Sequence, residues 1–378
     1  MTIKLYDTKP YETEFIAQVL SCSSFEKGYD IILDQTLFFP EEGGQTCDKG
    51  VLNDIDVFDV QIQNGIVHHY TKSKVEGMVH GKIDWAHRYS NMQNHSGEHV
   101  LSGVVHALYG FNNSGFHLSD TEITTDYDGF LTKEQIQEVE RRANQIILEN
   151  YPITSAYPEN VADLVYRSKK EIKEAIRIVT IENVDVCACC APHVRSTAEI
   201  GMIKIVKSMK FKKGVRLFFV CGQKAYQDYL VKHNQCATIS NLLSSPVEEI
   251  SNNVSRILQD VYVLKQKLSA LKKETINQKA KFITSKEIQC VFEEDLDKQT
   301  QQYYFNLLNQ NATKHAYLFV KIEEGYRFMI GSKEDANALL APLKDKFIVR
   351  GGGKDHFVQG TILASQEEIE KIINKNGV

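Results

Sequence analysis

The chain has 378 residues and a mass of 43.0 kDa, which predicts two or three domains. Its 42% hydrophobic and 25% charged residues are typical of globular proteins, and no run approaches the roughly 18 apolar residues of a membrane span. The net charge of -5 excludes a strongly basic nucleic-acid coat protein, although a local basic patch is compatible with it. The first fifteen residues lack the apolar segment of a signal peptide, so we expect a cytoplasmic protein.

The first 88 residues predict a β-rich region. Short β-branched or aromatic segments cover residues 14–23, 29–33, 51–60 and 65–70, and Gly, Asp and Asn separate them at hairpin-like intervals. Between them lies the glycine-containing stretch 34–45, DQTLFFPEEGGQ. Its two adjacent glycines permit a turn or a close backbone approach.

Residues 89–230 predict an α+β region. We expect helices over residues 90–108 and 132–150, the second with Thr132 as its N-cap. Strands are predicted over residues 176–181, 200–207 and 215–221.

Residues 245–283 predict a long helix with a heptad seam. The sequence Ser245-Pro246-Val247-Glu248 resembles a capping box with proline at the first helical position. Apolar residues then alternate at spacings of three and four, which is typical of a coiled-coil seam: Val247, Ile250, Val254, Ile257, Val261, Leu264, Leu268 and Leu271. The seam either packs on its own domain or forms a dimer or helical-hairpin interface.

Residues 285–378 predict a small α/β domain that ends in a polar helix. Strands over residues 317–322, 327–330 and 347–349 lead into a glycine-rich loop that contains Gly351, Gly352, Gly353 and Lys354.

Two pairs of residues predict a metal site. His95 and His99 are four apart in a predicted helix, so both imidazoles lie on one face. Cys189 and His193 repeat the spacing in a turn-like segment with proline. Two such pairs form a donor set that suits zinc, and a reducing cytosol makes disulfides improbable for these cysteines.

Several alternatives to this site stay open. Cys187 and Cys190 are competing thiolates, and the two pairs can also belong to packed histidines and a metal-free thiol cluster. Four protein ligands close a tetrahedron, which is typical of a structural site. Glu98 is either a carboxylate beside the metal that carries a proton or, as we favour from the sequence, a solvated residue on the helix surface.

The motifs together resemble a known family. The segments 94–99, NHSGEH, and 189–201, CCAPHVRSTAEIG, are similar to the editing domain of alanyl-tRNA synthetases, and more closely to the freestanding AlaX editing proteins. The stretch 34–45, the segment 83–85 before the histidine helix, the segment 213–220 and the glycine-rich C-terminal motif agree with this resemblance. Nothing in the chain resembles an aminoacylation core.

The resemblance implies an α+β protein with four parts. These are a β-barrel domain at residues 1–88, a zinc-binding editing domain at 89–232, a helical segment with the heptad seam at 233–284, and a C-terminal glycine-rich α/β domain at 285–378. The implied activity is ATP-independent trans-editing for translation fidelity, in which a zinc site hydrolyses the aminoacyl ester of Ser-tRNA(Ala), with Gly-tRNA(Ala) as a second candidate. The implied ligands are His95, His99, Cys189 and His193.

The resemblance also implies how the substrate is held. Thr36 would contact the serine hydroxyl, and Gln45 is a weaker candidate for contact with the terminal adenosine. For the RNA, six basic residues crowd into thirteen positions, and Lys354 is a further candidate: Lys204, Lys207, Lys210, Lys212, Lys213 and Arg216. Phosphate contacts would make binding depend strongly on salt, whereas lysines on a solvated strand edge would not bind RNA at all.

Two other functions remain open from the sequence. The same module can edit mischarged tRNA(Thr), because threonyl-tRNA synthetases carry similar pairs. A catalytically silent, zinc-containing tRNA-binding protein also fits, because Ala191 and Pro192 stand where the family commonly has Gly-Thr. The heptad seam and the C-terminal domain make a homodimer a further expectation.

Overall fold

The computed structural model describes residues 2–159, 164–168 and 176–376. They form a mixed α+β fold that divides into two compact units, Met1–Cys236 and Ala237–Val378. The division falls four residues after the boundary predicted at residue 232, and the boundaries predicted at residues 88 and 284 lie inside the units. No helix among the described residues is long and apolar enough to cross a membrane.

The first unit begins with a β-barrel, whose strands close in the order β2-β3-β7-β6-β5-β8. Asn53 and Asp54 both have positive φ and form a tight turn, so the single strand predicted over residues 51–60 is two strands. The elements are β1 (Ile3–Lys4), α1 (Leu5–Thr8), β2 (Glu14–Phe25), β3 (Gly28–Leu33), β4 (Gln35–Thr36), β5 (Gly50–Leu52), β6 (Ile55–Gln63), β7 (Ile66–Thr71) and β8 (Met78–Ile83).

The rest of the first unit contains two antiparallel sheets, β14-β15-β10-β9 and β11-β12-β13, and three long helices, the last of which continues past Cys236. Its elements are α2 (Trp85–Tyr109), β9 (Asn113–Leu118), β10 (Ile123–Tyr127), α3 (Lys133–Glu149), β11 (Ile153–Ala156), β12 (Ile178–Ile181), β13 (Asp185–Ala188), β14 (Ile203–Phe211), β15 (Gly214–Cys221) and α4 (Gly222–Leu243). The capping of α3 by Thr132 is confirmed, since its side chain accepts from Gln135 N. Helix α2 starts five residues earlier than predicted, because Asp84 caps it by accepting from His87 N.

A buried ion pair joins helix α2 to the barrel. Arg88 donates through Nε to Asp48 Oδ1 at 3.0 Å, and its other nitrogens reach the carbonyls of Leu37 and Pro10. Asp48 Oδ2 in turn accepts from Phe39 N at 2.6 Å. Both charged side chains are completely buried, and removing one partner of such a pair costs about 3–5 kcal/mol. The loop that precedes β5 is therefore fixed against α2.

The second unit holds one five-stranded sheet in the order β16-β17-β18-β20-β19. Apolar side chains on its two faces form separate cores with the surrounding helices. The elements are α5 (Ile250–Ala280), β16 (Lys286–Glu293), α6 (Lys298–Asn311), β17 (Ala312–Lys321), β18 (Tyr326–Ser332), α7 (Ala336–Lys344), β19 (Ile348–Lys354), β20 (Phe357–Leu363) and α8 (Gln366–Asn376).

Two local predictions for this unit are wrong. The capping box at Ser245 does not form: Pro246 precedes a 3-10 turn over Val247–Glu249, and α5 starts at Ile250 without a side-chain cap. The predicted glycine-rich loop is an edge strand, β19, in which a Cβ on Gly351 or Gly353 would collide with the backbone of β20. Glycine is needed there for close strand packing rather than for a turn.

Candidate metal centre

Four side chains converge at the junction of α2 with the segment after β13. The donor atoms of His95, His99, Cys189 and His193 all lie within 4.8 Å of one another, and all four residues are buried or nearly so. Cys189 Sγ is 3.5 Å from His95 Nε2 and 3.3 Å from His193 Nε2. The residues that the sequence pairs at spacings of four thus come together in space, and three imidazoles with one thiolate are the donors that zinc prefers.

Each imidazole of this cluster has a partner on its other nitrogen. The Nδ1 atoms of His95 and His99 donate to Gln45 Oε1 and Asp185 Oδ2, both at 2.8 Å. His193 Nδ1 lies 2.9 Å from Ser96 Oγ. Metal-bound histidines in proteins almost always have such partners, because these fix the ring and its tautomer. The donor set and the surrounding hydrogen bonds fit a metal ion at the Nε2 atoms.

The thiols of the segment differ in how readily they ionise. Burial disfavours a thiolate at Cys189, but the imidazoles of His95 and His193 outweigh it and hold the pKa of this thiol well below its usual value. Burial, together with the nearby Cys189 and Glu42, holds the pKa of Cys190 well above its usual value. Burial also raises the pKa of Cys187. Cys189 is therefore the thiolate that suits a metal.

The glycine-containing loop lies against this cluster. Gly44 has φ of +85°, and a Cβ there would stand 2.4 Å from the backbone oxygen of Phe116. The centre of the Phe116 ring lies 4.7 Å from the centre of the His95 ring. Only glycine tolerates both the angle and the approach. The loop carries Gln45, which is completely buried and whose Nε2 has no hydrogen-bond partner among the described residues. Its contact with His95 was not predicted.

Glu98 is not on the solvated helix surface that we favoured from the sequence. It is buried, and its carboxylate accepts from Ser102 Oγ at 2.6 Å and from the side-chain amide of Asn113. The reason is that α2 is covered on every side from Asn91 to Val105. A buried carboxylate keeps its charge only with such donors.

Thr36 belongs to a hydrogen-bonded chain inside the barrel. Phe38 N donates to Thr36 Oγ1 at 3.0 Å, and Thr36 Oγ1 lies 2.8 Å from His69 Nε2. His69 Nδ1 donates to the carbonyl of Ile31 at 3.1 Å, so Nε2 is the acceptor and Thr36 the donor. The hydroxyl proton of Thr36 is thus already committed, and His69 is a partner that the sequence did not indicate.

The basic residues predicted to bind RNA fall into two groups. Lys204 pairs with Glu140 at 2.6 Å, and Arg216 makes a bidentate pair with Asp126. Lys207, Lys210, Lys212 and Lys213 are exposed on β14 and the turn that follows it. Lys354 lies in the second unit, at the end of edge strand β19.

Comparison with known proteins finds similarity in the barrel region and in the segment that contains Cys189 and His193. Residues 176–218 match the family described as threonyl and alanyl tRNA synthetase second additional domain, and residues 6–87 match class II (A) tRNA synthetases. The chain is 28% identical to the alanyl-tRNA editing protein AlaX-L of Pyrococcus horikoshii, over 98% of this chain and 96% of that protein. It is 30% identical to the alanyl-tRNA editing protein Aarsd1-B of Xenopus laevis, over 82% and 81% of the two chains.

The chain belongs to the alanyl-tRNA editing proteins. It is also 30% identical to the alanine–tRNA ligase of Methanococcus maripaludis, over 98% of this chain but only 43% of the ligase. The class II match covers the barrel and reaches the first residues of α2. The second-additional-domain match spans β12 to β15, which includes Cys189 and His193. His95, His99 and the C-terminal motif lie outside both matched segments.

The buried His69 predicts a pH dependence of stability. Burial lowers the pKa of His69 to about 4, so between pH 6.5 and pH 4 the unfolded chain binds a proton there that the folded chain does not. The free energy of unfolding should therefore fall by about 3 kcal/mol more in the wild type than in His69→Gln as the pH is lowered from 7 to 4. Urea unfolding followed by fluorescence of the single tryptophan, Trp85, measures the difference. Parallel losses in the two proteins would contradict a neutral, buried His69.

Proposed function

We propose that the protein is a zinc-dependent trans-editing deacylase, which hydrolyses the ester of Ser-tRNA(Ala) and, as a second substrate, Gly-tRNA(Ala). The convergence of His95, His99, Cys189 and His193 in a member of the alanyl-tRNA editing proteins carries this proposal. Hydrolysis of an ester by water needs no ATP. Because translation supplies the substrate, we place the protein in the cytoplasm.

We propose a separate role in the hydrolysis for the metal, for Gln45 and for Glu98. Zinc, when bound, supplies a polarised ester carbonyl or a water of lowered pKa. Gln45 accepts from His95 through Oε1. Its Nε2, for which the described part of the chain offers no partner, is free to donate to the substrate near the terminal adenosine that the family resemblance implies. Glu98 is the proposed proton carrier, because it is a buried carboxylate one helical turn from His95.

We propose that Thr36 selects serine over alanine by accepting a hydrogen bond from the seryl hydroxyl. The Thr36 hydroxyl donates a hydrogen bond to His69 Nε2, and one of its two lone pairs accepts from Phe38 N. One lone pair on Oγ1 therefore remains without a donor. A seryl hydroxyl can donate to this lone pair, and an alanyl methyl cannot. A polar group that pairs with a substrate hydroxyl discriminates more strongly than an apolar pocket of the same size.

A silent tRNA-binding protein is the second candidate function. The observation that favours it is the complete donor set, since four protein ligands leave no open position on a tetrahedral zinc. Editing of mischarged tRNA(Thr) has less support, because both editing proteins compared above are named for alanyl-tRNA.

A pair of neighbouring cysteine variants tests the metal and the activity together. Cys189→Ala should lose stoichiometric zinc and reduce hydrolysis of Ser-tRNA(Ala) at least 100-fold, because the thiolate ligand is gone. Cys190→Ala is the matched control, and it should keep both zinc and activity. Zinc content by atomic absorption and release of labelled serine provide the measurements. Full zinc in Cys189→Ala would refute the ligand assignment, and zinc without hydrolysis in the wild type would favour the silent protein.

We propose that the exposed lysines of β14 and its turn bind the phosphates of tRNA. Lys207 and Lys210 lie on edge strand β14, and Lys212 and Lys213 lie in the turn that follows it. None of the four has an acidic partner among the described residues. Lys207 Nζ stands 4.9 Å from the centre of the Phe218 ring, so an aromatic face accompanies the charge. Lys204 and Arg216 contribute less, because carboxylates already pair with them.

This surface predicts how tRNA binding depends on salt. The double variant Lys210→Ala/Lys213→Ala should reduce the magnitude of the slope of log K against log salt by about 1.4–1.8, because each phosphate contact contributes about 0.7–0.9. Lys74→Ala is the control, since Lys74 is paired with Glu76 on the barrel. Filter binding of deacylated tRNA(Ala) from 50 to 300 mM KCl measures both slopes. Identical slopes for the double variant and the wild type would show that these lysines do not contact the tRNA phosphates.

We propose that a second copy of this chain covers the seam of α5. All the seam residues except the half-buried Ile250 are exposed, so the described residues of this unit leave the seam largely uncovered. The heptad spacing extends over about three and a half heptads, which is the pattern that two parallel or antiparallel helices bury together. The partner would thus bury apolar side chains that the isolated chain leaves in water.

Sedimentation equilibrium tests the proposed dimer. The wild type should sediment as a dimer near 86 kDa, twice the chain mass of 43.0 kDa, and Leu264→Glu should sediment as a monomer. Gln266→Glu adds the same charge two residues away, off the seam, and should leave the dimer intact. A monomeric wild type at 50 μM, or dissociation of both variants alike, would contradict the seam interface.

A further inference from the structure

Asp185 occupies a position from which it controls the orientation of His99. It is the first residue of β13, four residues before Cys189 in the chain, and its side chain is buried. Its Oδ2 lies 2.8 Å from His99 Nδ1. Because a carboxylate only accepts, His99 donates from Nδ1 and its Nε2 is left for the cluster with Cys189 and His193.

Arg167 fixes the carboxylate of Asp185 in turn. Its Nε and Nη2 donate to Oδ1 and Oδ2 at 2.6 and 2.7 Å, which is a bidentate pair. The backbone of Arg167 is held as well: its N donates to Val186 O at 2.8 Å, and its O accepts from Ala188 N at 2.9 Å. Arg167 is therefore tied by its backbone to β13 on both sides of Cys187 and by its side chain to Asp185, so the carboxylate has little freedom to rotate.

This arrangement decides between two competing donor groups. His99, Asp185 and Cys187 also offer donors within 4.8 Å of one another. However, both oxygens of Asp185 accept from the Arg167 guanidinium, and a cation bound there would meet this positive charge directly. A metal is thus directed to the Nε2 side of His99, and Asp185 acts on it only through the ring.

The partners of the other two imidazoles are neutral. His95 contacts the amide of Gln45, and His193 contacts the hydroxyl of Ser96, which also accepts from Val194 N at 3.3 Å. Asp185 is the only charged partner among the three. A charged acceptor strengthens the hydrogen bond from the ring and raises the basicity of the metal-facing nitrogen.

We propose that the Asp185–Arg167 pair is a positioning device that holds His99 in its metal-binding orientation and sets the metal affinity of the site. Neither residue belongs to the proposed ligand set of His95, His99, Cys189 and His193. The inference rests on the proposed metal centre, and it assigns a role to two residues that no sequence motif indicates.

Zinc affinity of the full-length protein tests this role. Asp185→Asn removes the charge and should weaken zinc binding about 10- to 100-fold in competition with a chromophoric chelator. Arg167→Lys keeps the charge but removes the planar fork, and should weaken binding about 3- to 10-fold even where Asp185→Asn folds poorly. Cys187→Ala is the matched control from the same strand and should bind zinc as the wild type does. Circular dichroism of each metal-free variant verifies folding.

A spectroscopic signature separates positioning from general loss of structure. In the zinc-loaded wild type, long-range proton–nitrogen NMR should show His99 protonated at Nδ1, with that proton shifted downfield and slow to exchange. Asp185→Asn should move this signal upfield and speed its exchange, and should leave the signals of His95 and His193 in place.

The outcomes distinguish this role from the metal centre itself. Wild-type affinity and an unmoved His99 signal in folded Asp185→Asn and Arg167→Lys would overturn the role while the metal centre stands. Loss of zinc in Cys187→Ala to the same extent as in Asp185→Asn would place the metal at the competing group and overturn it too. A wild type that binds no zinc would overturn the metal centre and this inference together.

Discussion

The buried pair of Arg88 and Asp48 is the interaction on which the site depends most. Arg88 lies in the first turns of α2, which also carries His95 and His99. Asp48 lies three residues after Gln45, in the loop that contacts His95. The pair therefore sets the position of two candidate ligands relative to the loop that flanks them. Because an uncompensated buried charge is costly, neither element can shift without breaking it.

The candidate metal centre depends on how α2 is enclosed by the rest of the first unit. Residues from Asn91 to Val105 are buried although several are polar, and most of these polar side chains have a partner from another element. His95 meets the barrel loop, His99 meets β13, and Ser96 meets His193. Three separate parts of the first unit thus orient the imidazoles, which is the rigidity that a preformed metal site requires.

The features that could be predicted from the sequence are those that depend on residues close together in the chain. The two pairs of candidate ligands follow from spacing along a helix and a turn, and the capping role of Thr132 follows from capping rules, so each needed only nearby residues. The burial of Glu98 and the contact of His99 with Asp185 depend on which elements pack together, and no local pattern encodes that. The two halves of residues 51–60 were missed because Asn53 and Asp54 turn within an otherwise strand-like stretch. The edge strand at Gly351–Gly353 was missed because glycines are typical of loops, whereas here they allow close contact with β20.

Selective hydrolysis tests the central claim most directly. Zinc-loaded protein is mixed under single-turnover conditions with Ser-tRNA(Ala), Ala-tRNA(Ala) and Ser-tRNA(Thr), and the ester remaining is followed over time. The account predicts rapid loss of Ser-tRNA(Ala) alone, which stops when a chelator removes the metal and resumes when zinc is restored. Equal rates for all three esters, or hydrolysis that persists without metal, would contradict it.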